Sequence, residues 1–313
     1  MVKAMTRRLP PRIITPDFWP ATFDRFDELL AAAQHCTVEH IGTSAGGRAI
    51  HGVRYRGAAD KPTLAVIGGI HGHEPQGPAA CFNLISVLGY GRDLKGTPWP
   101  DITDELNYII VPIANPDARA RMPNAFVGLA TQDIKHYDAG MTLTGERHEP
   151  GDNDCDPEQM MILGGLFNDA GQHINRETDP ANIRSPEIRA AMGFVEDHEP
   201  DLALEFHAHS APPMLIAPSN RVPEDIRQRQ QGICERIIEA AAREGIVFQE
   251  QIPVSDKVST SLYYHFSGAV PILYESPQGV LDSVAAWSHE QIVDGCMFVI
   301  SRLCRELTGG RAR

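Results

Sequence analysis

The residues best suited to chemistry directly follow a short apolar run at residues 64–70. The chain continues there as His71-Gly72-His73-Glu74, which brings two imidazoles and a carboxylate into one glycine-containing segment. Zn²⁺ readily takes imidazole nitrogen and carboxylate oxygen, and a catalytic zinc site needs three protein ligands plus an open position. His71 and Glu74 are therefore candidate metal ligands, although a solvated polar loop is an alternative that this motif alone leaves open.

A third ligand is expected at the end of another strand. Residues 202–206 form a largely apolar run that continues directly into His207-Ala208-His209. In open α/β sheets, ligands bind at the carboxyl ends of strands, so two strands that both end in histidines favour one shared site. His207 and His209 are both candidates for the third ligand.

In this order, the motifs resemble those of the zinc carboxypeptidase family whose prototype is carboxypeptidase A, over about residues 39 to 279. His71-x-x-Glu74 matches the first two zinc ligands of that family. Glu205-Phe-His207 resembles its third ligand motif, which favours His207 over His209. Further similarities are the hairpin at residues 41–48, the turn Asn115-Pro-Asp-Ala118, the segment His173-Ile-Asn175-Arg176 and the strand end Leu273-Tyr-Glu275.

The resemblance implies one Zn²⁺ per chain and hydrolysis of an amide bond next to a substrate carboxylate. Zinc would acidify a water molecule, a neighbouring carboxylate would take its proton, and a guanidinium would hold the substrate's carboxylate in a bidentate pair. The residues implied for these roles are His71, Glu74 and His207 for zinc, Glu275 for proton transfer, and Asn175 and Arg176 for the substrate.

In that family an arginine stabilises the oxyanion, so a preorganised positive charge is expected near the metal. Arg119 and Arg121 both follow the Asn-Pro-Asp turn. Arg121 is the preferred candidate, because the Asn124 that follows it fits the pattern of the family better.

The expected substrate is a small peptide or an acyl amino acid. The closest alternative is a small-molecule deacylase that resembles aspartoacylase and succinylglutamate desuccinylase, or an amidase that acts on muropeptides. The N-terminal hairpin and the long separation between His71 and His207 argue against the two deacylases. A non-catalytic binding module is a further alternative, and Glu275 argues against it, because nothing structural requires a carboxylate opposite the zinc.

The sequence departs from the family pattern at several positions. His173 stands where the family has the aspartate that orients the first zinc-bound histidine, so that hydrogen bond has to be remade or lost. Ala118 replaces the glycine of the turn, and residues 122–171 form a long insertion with little periodicity that could narrow or cap the substrate cleft. The mobile tyrosine of the family has no clear counterpart among Tyr263, Tyr264 and Tyr274.

The elements that must position these residues alternate between strands and helices, which predicts an α/β fold. We expect a single domain over residues 1–313, with a mixed parallel and antiparallel twisted sheet of about eight strands and helices on both faces. The predicted strands are 38–42, 50–56, 64–70, 107–112, 202–206, 214–217 and 271–274, and the predicted helices are 22–34, 77–88, 186–198, 224–243 and 288–307.

Two other motifs have simpler interpretations. Gly42-Thr-Ser44-Ala-Gly46 fits the G-x-S-x-G pattern of serine hydrolases, but a polar strand follows it where that motif needs a helix. A hairpin turn is therefore predicted. The acidic run at residues 152–156 resembles the start of a calcium loop, but Pro157 stands where an EF-hand needs glycine, so a solvated loop is favoured.

Composition restricts the partners. The 313 residues include 28 Lys and Arg against 41 Asp and Glu, a net charge of −13 that disfavours nucleic acid and anionic membranes. No apolar run is long enough for a transmembrane helix, and the N-terminus has no apolar segment typical of a secretory signal. The six cysteines are scattered without a CxxC pair, which favours free thiols and a cytoplasmic location. The sequence does not indicate an oligomeric state.

Overall fold

A mixed sheet of seven strands lies at the centre of the protein in a computed structural model, which describes residues 13–21, 25–31, 35–57, 60–148, 154–217, 221–249 and 252–309. The strands are β1 Cys36–Thr43, β2 Ala49–Tyr55, β3 Thr63–Ile67, β4 Asn107–Val111, β5 Gly140–Thr142, β6 Met160–Leu163, β7 Leu202–His209, β8 Met214–Ile216 and β9 Val270–Pro277. The helices are α1 Phe26–Ala31, α2 Gln76–Tyr90, α3 Pro116–Arg121, α4 Thr131–Asp138, α5 Pro186–Glu196, α6 Glu224–Arg243, α7 Leu262–Ser267 and α8 His289–Leu307.

The strand order of the main sheet is β1-β2-β4-β3-β7-β9-β8. The four strands β4, β3, β7 and β9 are parallel, whereas β1, β2 and β8 add antiparallel pairs at the edges. A parallel sheet is covered on both faces, which explains why Leu64 to Ile67 of β3 are all apolar and buried. The mixed α/β fold is confirmed, with seven strands in the main sheet where about eight were expected.

Helices cover both faces of this sheet, as predicted. Helices α2, α6 and α8 bury a large apolar cluster on one face, and residues such as Phe82, Ile237 and Phe298 belong to it. Helices α5 and α7 bury a second cluster on the other face, which includes Phe194 and Leu262.

Several element boundaries follow from local chemistry. Ser185 caps α5 by accepting a hydrogen bond from a backbone N–H, and Pro186 occupies the first helical position. Ser288 and Gln291 form a capping box at the start of α8. The first predicted helix is described only as α1, because residues 22–24 and 32–34 lie outside the described part of the chain. None of the described helices has the length and apolarity needed to cross a membrane.

The turn between β1 and β2 is the predicted hairpin and not a nucleophile elbow. Its Ser44 is buried and donates a hydrogen bond from Oγ to Asp117 Oδ1 at 2.6 Å. The same carboxylate accepts from Gly46 N at 2.7 Å and from Arg48 Nη1 at 2.8 Å. Asp117, in the Asn-Pro-Asp turn, therefore fixes the hairpin against α3.

The insertion at residues 122–171 has more regular structure than the sequence indicates. Its described part contains α4 and the antiparallel pair of β5 and β6, and residues 149–153 lie outside the described part. The acidic residues that resembled a calcium loop act as ordinary polar groups where they are described. Asp154 pairs with Arg184 at 2.5 Å, and Asp156 accepts a hydrogen bond from Glu158 N.

Candidate active site

Three of the predicted ligand groups meet at one point. His71 Nδ1 lies 2.8 Å from Glu74 Oε1, and His207 Nδ1 lies 3.0 Å from Glu74 Oε2. The Nδ1 atoms of the two histidines are 3.2 Å apart. Ligand atoms at about 2.0–2.1 Å from a tetrahedral zinc ion are separated by about 3.3 Å, so this spacing fits one shared ion.

The loop that carries His71 and Glu74 is held by the Asn-Pro-Asp turn. Asn115 N donates to Gly69 O at 2.9 Å, and its side-chain nitrogen donates to Ile70 O at 3.3 Å. A Cβ atom on Gly72 would lie 2.3 Å from the backbone of Ala118, so only glycine allows this close approach to α3. The Asn-Pro-Asp turn, one of the motifs that resemble the family, therefore fixes the position of the loop at residues 68–74, which we call the metal-ligand loop.

The partner strands bring His207 and Glu275 together. In the parallel pair of β7 and β9, His207 is directly opposite Glu275. Both lie within strands whose upstream residues are buried and, apart from Glu205, apolar, so the strand pairing sets their positions. The partly exposed Glu275 has no hydrogen-bond or ion-pair partner among the described residues.

A second carboxylate, Glu205, lies behind His207. Its Oε1 is 2.7 Å from His207 Nε2 and accepts a hydrogen bond from Thr260 Oγ1 at 3.1 Å, while Oε2 accepts from Tyr263 OH at 2.5 Å. A carboxylate bonded to the far nitrogen fixes the orientation of a metal-binding imidazole. Tyr263 is fully buried in this contact, so it does not correspond to the mobile tyrosine of the family.

The electrostatics of the site favour a cation between the ligands. Burial lowers the pKa of His71 to about 4, which leaves its imidazole neutral, the form that binds a metal. Burial also opposes protonation of His207, but the charges of Glu74 and Glu205 raise its pKa well above the usual value. A bound metal ion would supply the positive charge that these two carboxylates attract.

Glu275 has the environment of a proton acceptor near neutral pH. Burial, together with the negative charges of Glu74 and Glu205, raises its pKa to about 7, and the imidazole of His207 opposes this shift. A carboxylate with a pKa near the working pH is suited to general acid–base catalysis.

The two candidate arginines, Arg119 and Arg121, make different contacts in the structure. Arg121 faces the insertion, where it donates to the carbonyl oxygens of Leu163, Gly164 and Phe167 and pairs with Asp169 at 2.5 Å. These contacts leave its guanidinium in a structural role, so our preference for Arg121 as the oxyanion-stabilising residue is not supported.

Arg119 is the better placed of the two. It is buried next to His73, whose pKa its positive charge lowers, while burial is the main cause of that lowering. Its Nη2 donates to the carbonyl oxygens of Met122 and Pro123, but Nε and Nη1 have no partner among the described residues. Burial lowers the pKa of Arg119 to about 9. These two buried donors have hydrogen-bonding capacity that an oxyanion could satisfy.

The predicted carboxylate-binding pair lies on a 3-10 turn, Ile174–Arg176, beside a serine-rich loop. Asn175 Oδ1 accepts hydrogen bonds from Ser259 N at 3.1 Å and Ser259 Oγ at 2.9 Å. Arg176 Nη1 donates to Lys257 O at 3.2 Å, and the side chain is partly exposed. The turn is thereby fixed to the same loop that supplies Thr260 to Glu205.

His173 does not reproduce the aspartate that it replaces. Its ring centroid is 6.1 Å from that of His71, at a tilt of 51°, and its backbone nitrogen donates to Asp154 Oδ1. The Nε2 atom of His71 is buried and has no hydrogen-bond partner among the described residues. The hydrogen bond expected to orient the first ligand is therefore absent from the described structure.

Two further histidines lie near the ligand set. His73, His71 and Glu74 have ligand atoms within 4.8 Å of one another, so this trio is another conceivable set. We favour His207 over His73, because His207 lies closer to Glu74 (3.0 against 3.5 Å) and is oriented by Glu205. His209 contacts Pro212 O through its Nε2 atom at 2.9 Å.

The fold and the donor groups define the class of this molecule: an α/β protein with a cluster of candidate metal ligands at the carboxyl edge of its parallel strands. The chain belongs to the zinc carboxypeptidase family, since the sequence profile of that family matches residues 26–270.

Solved metallocarboxypeptidases share this fold. A metallo-carboxypeptidase from Burkholderia cenocepacia superposes with a TM-score of 0.63 at 18% identity, covering 93% of this chain and 70% of the other. A metallo-carboxypeptidase from Pseudomonas aeruginosa in complex with (2-guanidinoethylmercapto)succinic acid gives 0.62 at 20% identity, covering 92% and 70%. Thrombin activatable fibrinolysis inhibitor gives 0.65 at 12% identity, covering 92% and 73%.

A shorter match relates the chain to the inactive metallocarboxypeptidase ECM14 of Saccharomyces cerevisiae. The two are 31% identical over 90 residues, which are 26% of this chain and 20% of the yeast protein. The match thus spans about a fifth of that relative, and the inactivity is a property of the yeast protein.

Proposed function

We propose that this protein is a zinc-dependent metallocarboxypeptidase, which hydrolyses an amide bond adjacent to a substrate carboxylate. The observation that supports this most strongly is the meeting of His71, His207 and Glu74 donor atoms within 2.8–3.2 Å of one another, with Glu275 directly opposite His207. A non-catalytic module would have no use for a partly exposed, unpaired carboxylate at that position.

The donor set fits zinc. Two imidazole nitrogens and a carboxylate are a common catalytic zinc set, and the buried carboxylates Glu74 and Glu205 favour a cation between them. His71, Glu74 and His207 would hold the ion. When bound, zinc lowers the pKa of a coordinated water and polarises a carbonyl oxygen.

The remaining roles belong to side chains of the chain itself. Glu275 accepts a proton on its carboxylate and later donates it to the leaving amine, since its pKa of about 7 allows both directions near neutrality. The unpaired Nε and Nη1 donors of Arg119 stabilise negative charge on the scissile carbonyl oxygen. Arg176 binds the substrate's carboxylate, and Asn175 contributes to the same subsite from the fixed 3-10 turn.

The test uses a mixed library of di- to octapeptides, incubated with the zinc-loaded protein with and without o-phenanthroline and analysed by mass spectrometry. We expect loss of single C-terminal residues that stops in the presence of the chelator. The Glu275→Gln protein, with its zinc content confirmed, is the matched control and should leave the library intact.

Two results would contradict the proposal. A library untouched by the zinc-loaded protein would direct the search to acyl amino acids and muropeptide fragments. Cleavage that continues in the chelator would exclude a metal-dependent reaction.

A further inference from the structure

The 3-10 turn Ile174–Arg176, which carries both predicted carboxylate-binding residues, is too short to fix its own orientation. Arg176 N donates to His173 O at 3.0 Å, and Glu177 N donates to Ile174 O at 3.2 Å. Hydrogen bonds of this type have poorer geometry than those of an α-helix. Besides its contacts with the loop at residues 257–260, the turn therefore depends on the residues that hold its two ends.

Asp154 holds the end of the turn at His173. Its Oδ1 accepts a hydrogen bond from His173 N at 3.0 Å. The same carboxylate pairs with the guanidinium of Arg184, whose Nη1 lies 2.5 Å from Oδ2 and whose Nη2 lies 3.2 Å from Oδ1. Burial raises the pKa of Asp154, but the hydrogen bonds from Arg184 and His173 lower it overall, so the carboxyl is ionised near neutral pH.

Glu177 holds the other end of the turn. Its side chain is buried at the start of α5, where Oε1 accepts hydrogen bonds from Arg184 N at 3.1 Å and from Ser185 N at 3.0 Å. Its Oε2 accepts from Ser185 Oγ at 2.7 Å. Because Ser185 is also the cap of α5, the position of this helix determines the position of Glu177.

Arg184 connects the two carboxylates that hold the ends of the turn. Its Nη1 and Nη2 atoms pair with Asp154, and its Nε atom lies 3.6 Å from Glu177 Oε1. A guanidinium is planar and presents its donors in a fixed geometry, so it sets the separation of the two carboxylates more strictly than a lysine ammonium would. The Arg184 side chain is 48% exposed, so these pairs contribute little to the stability of the whole fold.

We propose that Arg184 is a positioning residue for binding of the substrate's carboxylate, and that it acts on the orientation of Arg176 through Asp154 and Glu177. A bidentate pair between a guanidinium and a carboxylate needs a defined orientation, so a small displacement of Arg176 weakens it. This inference rests on the proposed function, because it takes Arg176 as the carboxylate subsite.

The first test measures whether Arg184 affects binding or the chemical step, with the peptide that the wild type cleaves fastest in the library. For Arg184→Gln we expect KM to rise about tenfold at unchanged kcat, less than the roughly 100-fold loss that a displacement of about 1 Å can cause. Arg184→Lys keeps the charge, and its KM should lie between the other two. Arg236→Gln on α6 is the matched control, since it removes a similarly exposed arginine that forms two hydrogen bonds with Glu306, and its KM should equal that of the wild type.

A double-mutant cycle separates an action through Arg176 from a general structural effect. Arg176→Lys removes the bidentate donors and should itself raise KM. If Arg184 acts through Arg176, adding Arg184→Gln to Arg176→Lys should change KM by less than about twofold. An effect on the fold that is independent of Arg176 would raise KM by the same factor in both backgrounds.

The outcomes distinguish the positioning role from the proposed function. If Arg176→Lys raises KM but Arg184→Gln does not, or if Arg184→Gln has equal effects in both backgrounds, the positioning role is overturned. If Arg176→Lys leaves KM unchanged with zinc bound, the carboxylate subsite of the proposed function is wrong. Asp154→Asn leaves the cap of α5 intact, and it is the second variant if Arg184→Gln fails to fold, with the same rise in KM expected.

Discussion

Two carboxylates near His207 have different pKa values because their hydrogen bonds differ. Burial raises the pKa of both Glu205 and Glu275. In Glu205, hydrogen bonds from His207, Tyr263 and Thr260 reverse that effect and keep the group ionised. Glu275 has no such donors and its pKa is about 7. Such a separation of pKa values distinguishes a positioning carboxylate from one that exchanges a proton.

The variant Glu275→Gln tests the second role. Glutamine keeps the shape of the side chain but cannot accept the proton, so kcat should fall at least about 100-fold while zinc content stays at one per chain. Steady-state kinetics and metal analysis measure the two quantities. The exposed Glu290 on α8 offers the control, and Glu290→Gln should behave as the wild type.

The pH profile of the wild type provides a further test of Glu275. The carboxyl must be ionised to accept a proton, so activity should decline as the pH falls below about 7, and bound zinc would move this limb to lower pH. Near-wild-type turnover by Glu275→Gln, or an unchanged acidic limb in that variant, would rule out the assignment.

The variant Arg119→Ala tests the proposed stabilisation of the oxyanion by Arg119. Because its free donors lie at the buried site, Arg119→Ala should lower kcat by about 10²–10³, the loss typical of one oxyanion donor. Since the interaction is made in the transition state, kcat and kcat/KM should fall together. The loss should exceed that of Arg121→Ala measured on the same peptide. The reverse order would restore Arg121 as the candidate.

The residues that sequence reasoning could place are those in local motifs. His71 and Glu74 lie three positions apart in one loop, and His207 follows a recognisable strand, so their convergence follows from strand order. The choice between Arg119 and Arg121 depends on how the short helix α3 faces its neighbours, which tertiary packing decides. The hydrogen bond of Tyr263 to Glu205 has no signal in the sequence, because only the tertiary packing of distant segments brings the two residues together.

Among the elements of the fold, the Asn-Pro-Asp turn holds two other parts in place. Its Asn115 holds the metal-ligand loop, while Asp117 holds the β1–β2 hairpin through Ser44, Gly46 and Arg48. A buried carboxylate with three such donors loses more than one hydrogen bond when its charge is removed. The turn is therefore expected to matter for stability as well as for the site.

Replacing Asp117 should reveal how much its carboxylate contributes to the free energy of unfolding. Asp117→Asn should lower the free energy of unfolding by about 1.5–3 kcal/mol at pH 7, as expected for hydrogen bonds to a charged group. Burial raises the pKa of Asp117, but hydrogen bonds from Ser44, Gly46 and Arg48 lower it overall. Its stabilisation is thus present above the unfolded pKa of about 3.9 and is lost as the pH falls through the folded value.

Denaturant melts of wild type and Asp117→Asn at several pH values would measure this difference. The gap between the two proteins should be constant from pH 7 to about 5 and should shrink in more acidic buffer. Asp225 on α6 is exposed, so Asp225→Asn is the control. Its free energy of unfolding should differ from that of the wild type by no more than about 0.5 kcal/mol. A gap that widens on acidification would contradict the assigned sign.

The main sheet could be predicted because its central strands are apolar and its long helices carry caps, as α5 and α8 do, or periodic apolar residues, as α6 does. The insertion could not, for a physical reason. Helix α4 is short and buries only Ile134, so it has no apolar stripe. Strands β5 and β6 are three and four residues long and form a separate pair, which gives no alternating pattern. Their structure depends on contacts with α3 and the metal-ligand loop.

At the scale of the whole molecule, the site concentrates negative charge inside an already acidic protein. The net charge is −13, and Glu74 and Glu205 are both buried within hydrogen-bond distance of His207. Buried charges destabilise a fold unless they are paired, and among the described residues His207 is the side chain that contacts both carboxylates. A divalent cation at this position should therefore stabilise the entire fold as well as supply catalysis.

Thermal unfolding with and without metal tests this coupling independently of activity. At a free zinc concentration of about 100 times the Kd, binding should add about 2.7 kcal/mol to the free energy of unfolding, and chelation should remove it. His71→Ala should abolish the zinc-dependent rise in Tm, whereas His209→Ala, whose ring faces Pro212, should retain it. If zinc leaves the Tm of the wild type unchanged, the three donors do not form a metal site. If His209→Ala alone loses the effect, the third ligand is His209, and the orientation of His207 by Glu205 has another purpose.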